Sequence, residues 1–213
     1  MPSDKYEKEC WRDGKFLAGF DESGYGCIGL HLTVAGAIFE KGFVFADLPG
    51  LNDSKKLTES QRFSLEAQIK DKAFWWFCKS ATAAEVDAAK TGTDNVYWLR
   101  FRMIEDHIKE NRAAMPKNFV SLMDGNKALR LDTDSRCLVK GDALCYSIAA
   151  ASILAKCEKD RLAYEVDKEY PMYGFAEHKG YYNAAHVKAI EKYGFSPHHR
   201  RTYCRNITPG TGV

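Results

Sequence analysis

No stretch of this sequence is apolar over enough length to span a membrane. The longest run without a formal charge, Ser23 to Phe39, holds four glycines and a histidine. The first ten residues, Met1 to Cys10, lack the apolar core of a secretory signal, so none is expected. Cys-x-x-Cys pairs are absent, and the seven cysteines are odd in number and widely scattered. That pattern argues against a disulfide framework or zinc ribbon and for a reducing compartment. No repeat, low-complexity tract or Pro/Gly/Ser-rich linker divides the chain. Nor does one charge dominate: 31 Lys and Arg stand against 29 Asp and Glu, a net charge of +2. A histone-like polycation is excluded, while a local basic groove is not. These absences predict a cytoplasmic, monomeric protein that works without a membrane.

What is present fits one large α/β domain. The chain has 213 residues, 45% of them hydrophobic, enough to bury a core without covalent staples. Apolar runs predict strands at Phe16–Phe20, Leu30–Phe39, Phe43–Phe45, Phe74–Cys78, Phe119–Met123 and Cys137–Val139. Helical spacing covers Leu57 to Ala73, with Thr58 as N-cap and Gln61 three residues on, and Val96 to Lys109. A long Ala-rich helix runs from Ala143 to about Glu169, its apolar stripe giving way to the charged run Glu158-Lys-Asp-Arg161. Strands followed by helices, then helices alone, imply an α/β core with a helical C-terminal part from about residue 170. From His178 onward six basic residues face one acid, interleaved with Tyr181, Tyr182, Tyr193 and Tyr203. Basic and aromatic residues mixed in this way suit a nucleic-acid backbone with stacked bases; a solvated basic face is the alternative.

Gly24-Tyr-Gly-Cys-Ile-Gly29 matches the dinucleotide fingerprint, but a strand rather than a helix follows it, and Asp21 and Glu22 just before it would repel a diphosphate. A glycine turn that lets a substrate backbone approach closely fits better. Asp21 and Glu22 end one apolar strand, Asp124 ends another, and Asp142 follows a third in Lys140-Gly-Asp142. Strand ends of an open α/β sheet are where sites collect. Four acids gathered there need cations among them, and oxygen-only ligands favour Mg²⁺ or Mn²⁺ over zinc. Taken singly, each acid also reads as a turn, cap or loop residue. Adjacent strand residues face opposite sides, so Asp21 and Glu22 need a bend to share an ion. Asn52-Asp-Ser-Lys-Lys-Leu57 puts two lysines before a helix, suited to phosphate. No His-Glu-x-x-His or Gly-x-Ser-x-Gly occurs, so zincin and hydrolase-elbow chemistry have no support.

In order and spacing, Gly19-Phe-Asp-Glu-Ser-Gly-Tyr-Gly26, Leu51-Asn-Asp-Ser-Lys-Lys-Leu57, Asp124-Gly-Asn126, Lys140-Gly-Asp142, Ala151-Ser-Ile-Leu-Ala-Lys156 with Asp160-Arg161, and Tyr173-Gly-Phe-Ala-Glu-His-Lys-Gly-Tyr181 closely resemble type 2 ribonuclease H. The resemblance spans about residues 16 to 203. It implies a ribonuclease H-like fold, a mixed sheet flanked by helices with a C-terminal helical extension. It implies two divalent ions, Mg²⁺ or Mn²⁺, on Asp21, Glu22, Asp124 and Asp142. It further implies cleavage 5′ to a ribonucleotide in RNA–DNA hybrids or ribonucleotide-containing duplex DNA. Gly24 and Gly26 match glycines whose backbone reads the 2′-hydroxyl, and Tyr181 matches a tyrosine that packs on a sugar. Tyr25, Ser54, Lys55, Lys179 and Arg200 complete the expected substrate contacts. A non-catalytic hybrid-binding protein is the alternative function. Two departures stand out. Tyr25 occupies the place of an arginine, and an apparent insertion, Ala88 to Asp94, precedes the helix that opens at Asn95-Val96.

Overall fold

A computed structural model describes residues 1–92 and 95–211. Helix α1 (Lys5–Arg12) precedes strands β1 (Phe16–Ser23) and β2 (Leu32–Ile38), followed by α2 (Glu59–Lys72), β3 (Trp75–Ala81), α3 (Ala83–Thr91) and α4 (Val96–Glu110). Strands β4 (Phe119–Asp124) and β5 (Asp134–Leu138) lead to the long α5 (Tyr146–Glu169), the one-turn α6 (Phe175–His178) and α7 (Ala184–Tyr193). The five strands form one mixed sheet in the order β3-β2-β1-β4-β5, flanked by helices. The neighbours β1, β4 and β5 run parallel, with Phe20 level with Met123 and Asp124 level with Leu138. The chain divides into two compact units: residues 1–22, 34–79 and 101–157, and residues 23–33, 80–100 and 158–213.

The first unit holds most of the sheet. Every residue of β2 is buried, and its Ala35 and Ala37 pack with Leu65 and Ile69 of α2 and with Ala149, Ile153 and Leu154 of α5. Each fully buried Leu or Ile contributes about 1.5–3 kcal/mol. A Cβ on Gly19 would lie 2.4 Å from the Ser147 carbonyl carbon, so only glycine lets α5 cross β1 so closely. Thr58 caps α2 in a reciprocal capping box with Gln61, as its sequence predicts.

Two expected strands are corrected. Phe43–Phe45 forms no strand: Gly42 turns the chain at φ 82°, and Phe45–Asp47 is a 3-10 turn. The rings of Phe39, Phe43 and Phe45 pack on one another at centroid distances of 4.9–5.1 Å, so the apolar run builds an aromatic cluster rather than a ladder. The strand expected at Cys137–Val139 lies earlier, at Asp134–Leu138. It is the edge of the sheet, where no alternation of buried residues is required. Helix α3 was not expected at all, although Thr82 and Glu85 form its capping box. It runs into the apparent insertion, whose last residues, Thr93 and Asp94, lie outside the described ones. Helix α4 nevertheless opens at Val96 as its spacing predicts.

The second unit is tied together by imidazoles. Leu30, Ala163, Val166, Tyr173, Phe175 and Ala189 form its main apolar cluster. Beside them, His178, His186 and His199 are buried. The Ser196 N–H donates to His199 Nδ1 at 2.9 Å, so that nitrogen carries no proton. Tyr181 O can only accept, so His186 Nδ1, 3.0 Å away, is the donor. The remaining bond, 3.1 Å between the two Nε2 atoms, therefore runs from His199 to His186. One set of neutral tautomers satisfies the whole relay and anchors the main chain of Tyr181.

Burial is the main cause holding His186 down to about 4 and His199 down to about 3. Both lie below the unfolded value of about 6.5, so the unfolded chain binds protons first. The stability they contribute is complete above about pH 6.5 and declines as pH falls towards their folded values. The difference in melting temperature between the wild type and His199→Gln should accordingly shrink between pH 7 and pH 5. A difference that does not change with pH would show that the fold does not hold these imidazoles below their ordinary pKa.

Candidate active site

β1 and β4 deliver the first acids. One residue beyond the last registered pair, Phe20 with Met123, stand Asp21 and Asp124, so their side chains leave neighbouring strand ends together. Asp124 Oδ1 accepts the Gly141 N–H at 2.7 Å, which fastens it to the turn carrying Asp142. Asp21 Oδ1 accepts the N–H of Glu22 at 2.7 Å. Burial, then the charges of Glu22, Asp124 and Asp142, raise the Asp21 carboxyl well above the usual carboxylate range. Asp124 is also raised, first by burial and then by Asp142, against hydrogen bonds from the main chain. The structure thus brings the four acids expected from the sequence into mutual electrostatic contact, all within the first unit.

Lys55 partly answers this charge. Its ammonium lies 3.1 Å from Asp142 Oδ2, although most of the side chain is exposed. Burial works to lower its pKa, but the hydrogen bond and attraction from Asp142, with Asp21 and Asp53 beyond, leave it raised. Ser54, expected to touch substrate, has its hydroxyl paired with Ser152 at 2.8 Å and is buried, so this side chain fixes the loop. Among the described residues no three acid, imidazole or thiol side chains are already closed as a metal cage. The donor set nonetheless fits a hard divalent cation: it is all oxygen, and positive charge would offset both the burial and the acidic neighbours that raise Asp21 and Asp124.

The remaining expected contacts lie in the second unit. Gly24 adopts φ 90°, and a Cβ there would stand 2.7 Å from both the His31 carbonyl oxygen and Lys159 Cε. Tyr25 is 40% exposed, with the Arg100 guanidinium carbon 5.5 Å from its ring centroid. Tyr181 is 44% exposed, its ring facing the Lys159 ammonium at 4.5 Å. The Lys179 ammonium is engaged with Ala176 O and stacked 4.0 Å from the Tyr164 ring. Arg200 is corrected: it is wholly buried and bonds main-chain carbonyls, so it is no surface cation for phosphate.

Lys159 was missed. It lies in the charged run of α5, is fully buried, and donates to Lys179 O at 2.6 Å. The signal was in the spacing: Ala155, Lys159 and Ala163 recur every four residues and share a buried helix face.

Comparison with known proteins identifies the family. The family described as Ribonuclease HII matches residues 18–206. A ribonuclease HII from Acetivibrio thermocellus is 39% identical over 203 residues, covering 95% of this chain and 75% of that protein. One from Desulfitobacterium hafniense is 41% identical over 198 residues, covering 92% and 72%. Among solved structures, the RNase HII of an Archaeoglobus fulgidus complex with PCNA superposes with a TM-score of 0.71 at 19% identity, over 87% of this chain and 93% of that one. A Bst-RNase HIII bound to Mn²⁺ gives 0.71 at 16% identity, over 91% and 70%. These structural likenesses show the ribonuclease H-like fold. The matched family, the identity to its members and the clustered acids together establish that the chain belongs to the ribonuclease HII family, a family of metal-dependent endoribonucleases.

Proposed function

We propose that this chain hydrolyses the phosphodiester 5′ to a ribonucleotide, in RNA–DNA hybrids and at single ribonucleotides within duplex DNA. The observation that carries this reading is the electrostatic crowding of Asp21, Glu22, Asp124 and Asp142 at the ends of the parallel strands. Asp21, with the three other acids around it, would hold two divalent ions, Mg²⁺ or Mn²⁺. Bound there, such ions act as Lewis acids towards phosphoryl oxygens and lower the pKa of water.

The chain's own groups orient the rest. The Gly141 N–H fixes the Asp124 carboxylate. Lys55 pairs with Asp142 in the free protein; with divalent ions held by the acids, its ammonium would be free for a backbone phosphate. Gly24, Tyr25, Gly26 and Tyr181 meet the ribonucleotide. The bond cleaved dictates the nucleophile. At a single embedded ribonucleotide the phosphate on its 5′ side follows a deoxynucleotide and has no adjacent 2′-hydroxyl, so there water must supply the attacking oxygen. Water bonds to phosphorus, the P–O3′ bond breaks, and the proton goes to the departing 3′ oxygen.

The test is a gel assay on one duplex with a ribonucleotide tract and another with a single ribonucleotide. Nicking of both in Mg²⁺ or Mn²⁺, abolished by EDTA, is expected. Binding without nicking under any divalent ion would instead identify a hybrid-binding protein.

A further inference from the structure

The segment from Gly24 to Leu30 curls around one side chain. Arg200 is 0% exposed, and its guanidinium donates to four main-chain carbonyls. Nε reaches Leu30 O at 3.0 Å, and Nη1 reaches Gly24, Cys27 and Tyr25 at 2.7, 3.1 and 3.3 Å. Nη2 meets no acceptor among the described residues, and burial draws the group below its ordinary pKa. A desolvated cation with an unsatisfied arm is a costly way to hold a loop. What the fold gains is orientation.

A trans peptide sets its N–H opposite its C=O, and no described peptide is cis. With the carbonyls of Gly24 and Tyr25 drawn inward to Arg200, the N–H groups of Tyr25 and Gly26 point outward. Among the described residues neither finds an acceptor. The next three amides are all satisfied: Cys27 donates to Gly24 O, and Ile28 and Gly29 both donate to Gly180 O. Gly26 adds an independent sign. Its φ is not positive, and a Cβ there would meet nothing within 4 Å, so neither backbone conformation nor packing in this fold requires glycine. The missing side chain leaves room for a ligand beside two adjacent donors.

We propose that Arg200 is a positioning residue for ribonucleotide recognition: by holding the carbonyls of Gly24 and Tyr25 inward, it presents the N–H groups of Tyr25 and Gly26 to the 2′-oxygen of the sugar. This rests on the reading above that the loop meets the ribonucleotide. Arg200 itself touches no nucleic acid.

The test compares wild type with Arg200→Lys, which keeps the charge but cannot fork to four carbonyls. Binding is measured in EDTA to two duplexes that differ only by one 2′-hydroxyl. Wild type is expected to prefer the ribonucleotide duplex, and Arg200→Lys to reduce that preference on the order of tenfold. Affinity for the all-DNA duplex should change less than about twofold, since no phosphate contact is lost. An undiminished preference in a folded Arg200→Lys overturns the proposal. No preference in the wild type overturns the loop reading itself. Hydrogen exchange in the wild type removes any dependence on the variant's folding. The Tyr25 and Gly26 amides should exchange quickly when free and slow on adding the ribonucleotide duplex but not the all-DNA one. Equal slowing by both duplexes also overturns the proposal.

Discussion

Replacing Asp124 by asparagine is expected to lower cleavage of an RNA–DNA hybrid by about 10³-fold or more, equivalent to ~4 kcal/mol of transition-state stabilisation. The substitution is nearly isosteric, and the asparagine Oδ1 can still accept the Gly141 N–H that fixes Asp124. What it removes is charge, and with it much of the site's affinity for a divalent cation. The same crowding makes a second readout available. Asp21 is 5% exposed and raised well above the usual carboxylate range by burial and by three acidic neighbours. Asp21→Asn should therefore raise the melting temperature measured in EDTA, by roughly 2–4 °C for each kcal/mol of repulsion relieved. Mg²⁺ should stabilise the wild type, by mass action on the folded state, and do less for either variant. Wild-type cleavage by Asp124→Asn, or a lower melting temperature for Asp21→Asn in EDTA, would mean that these acids are not a cation site.

The second large effect concerns Tyr25. It stands where the resemblance has an arginine, and it offers only a hydroxyl or a ring face where a guanidinium would fork onto phosphate. A hydrogen bond to a charged group contributes ~1.5–3 kcal/mol, so junction recognition is expected to be weaker by roughly ten- to a hundredfold. The expected result is that ribonucleotide tracts are cut better than single embedded ribonucleotides. Tyr25→Arg should raise single-ribonucleotide incision by about tenfold or more relative to tract cleavage. The variant also loses the ring beside Arg100, a contact of about 0.5–1 kcal/mol, so rates are compared per folded enzyme. Equal changes on both substrates would remove Tyr25 as the cause.

The clustering of the four acids was legible because chain order and strand geometry coincide. Phe16–Phe20 and Phe119–Met123 are apolar runs that each end in aspartate, and parallel pairing brings those ends together. The register, and Asp124's hold on the turn before α5, required the structure. Arg200 was misread because composition counts a cation without showing where it lies. Burial beside four carbonyls is a tertiary fact that no local window contains. Lys159 was missed for a related reason: a charged run interrupts the apolar stripe of the helix, yet its second residue faces the core. Phe43–Phe45 failed because an apolar triplet can satisfy itself by ring packing without entering a sheet. Helix α3 was overlooked despite its capping box, since its alanines carry no strong apolar stripe.

End analysis of the cut duplex tests the whole scheme most directly. A duplex with one ribonucleotide, labelled in turn at each end of the ribonucleotide strand, is incubated with the wild type and Mg²⁺ or Mn²⁺. A cut on the 5′ side is expected, with a 3′-hydroxyl on the preceding deoxynucleotide, a 5′-phosphate on the ribonucleotide, and no product in EDTA. A cut on the 3′ side ending in a 2′,3′-cyclic phosphate, or cleavage that persists in EDTA, would mean that the sugar's own hydroxyl attacks and that the four carboxylates do not carry the reaction.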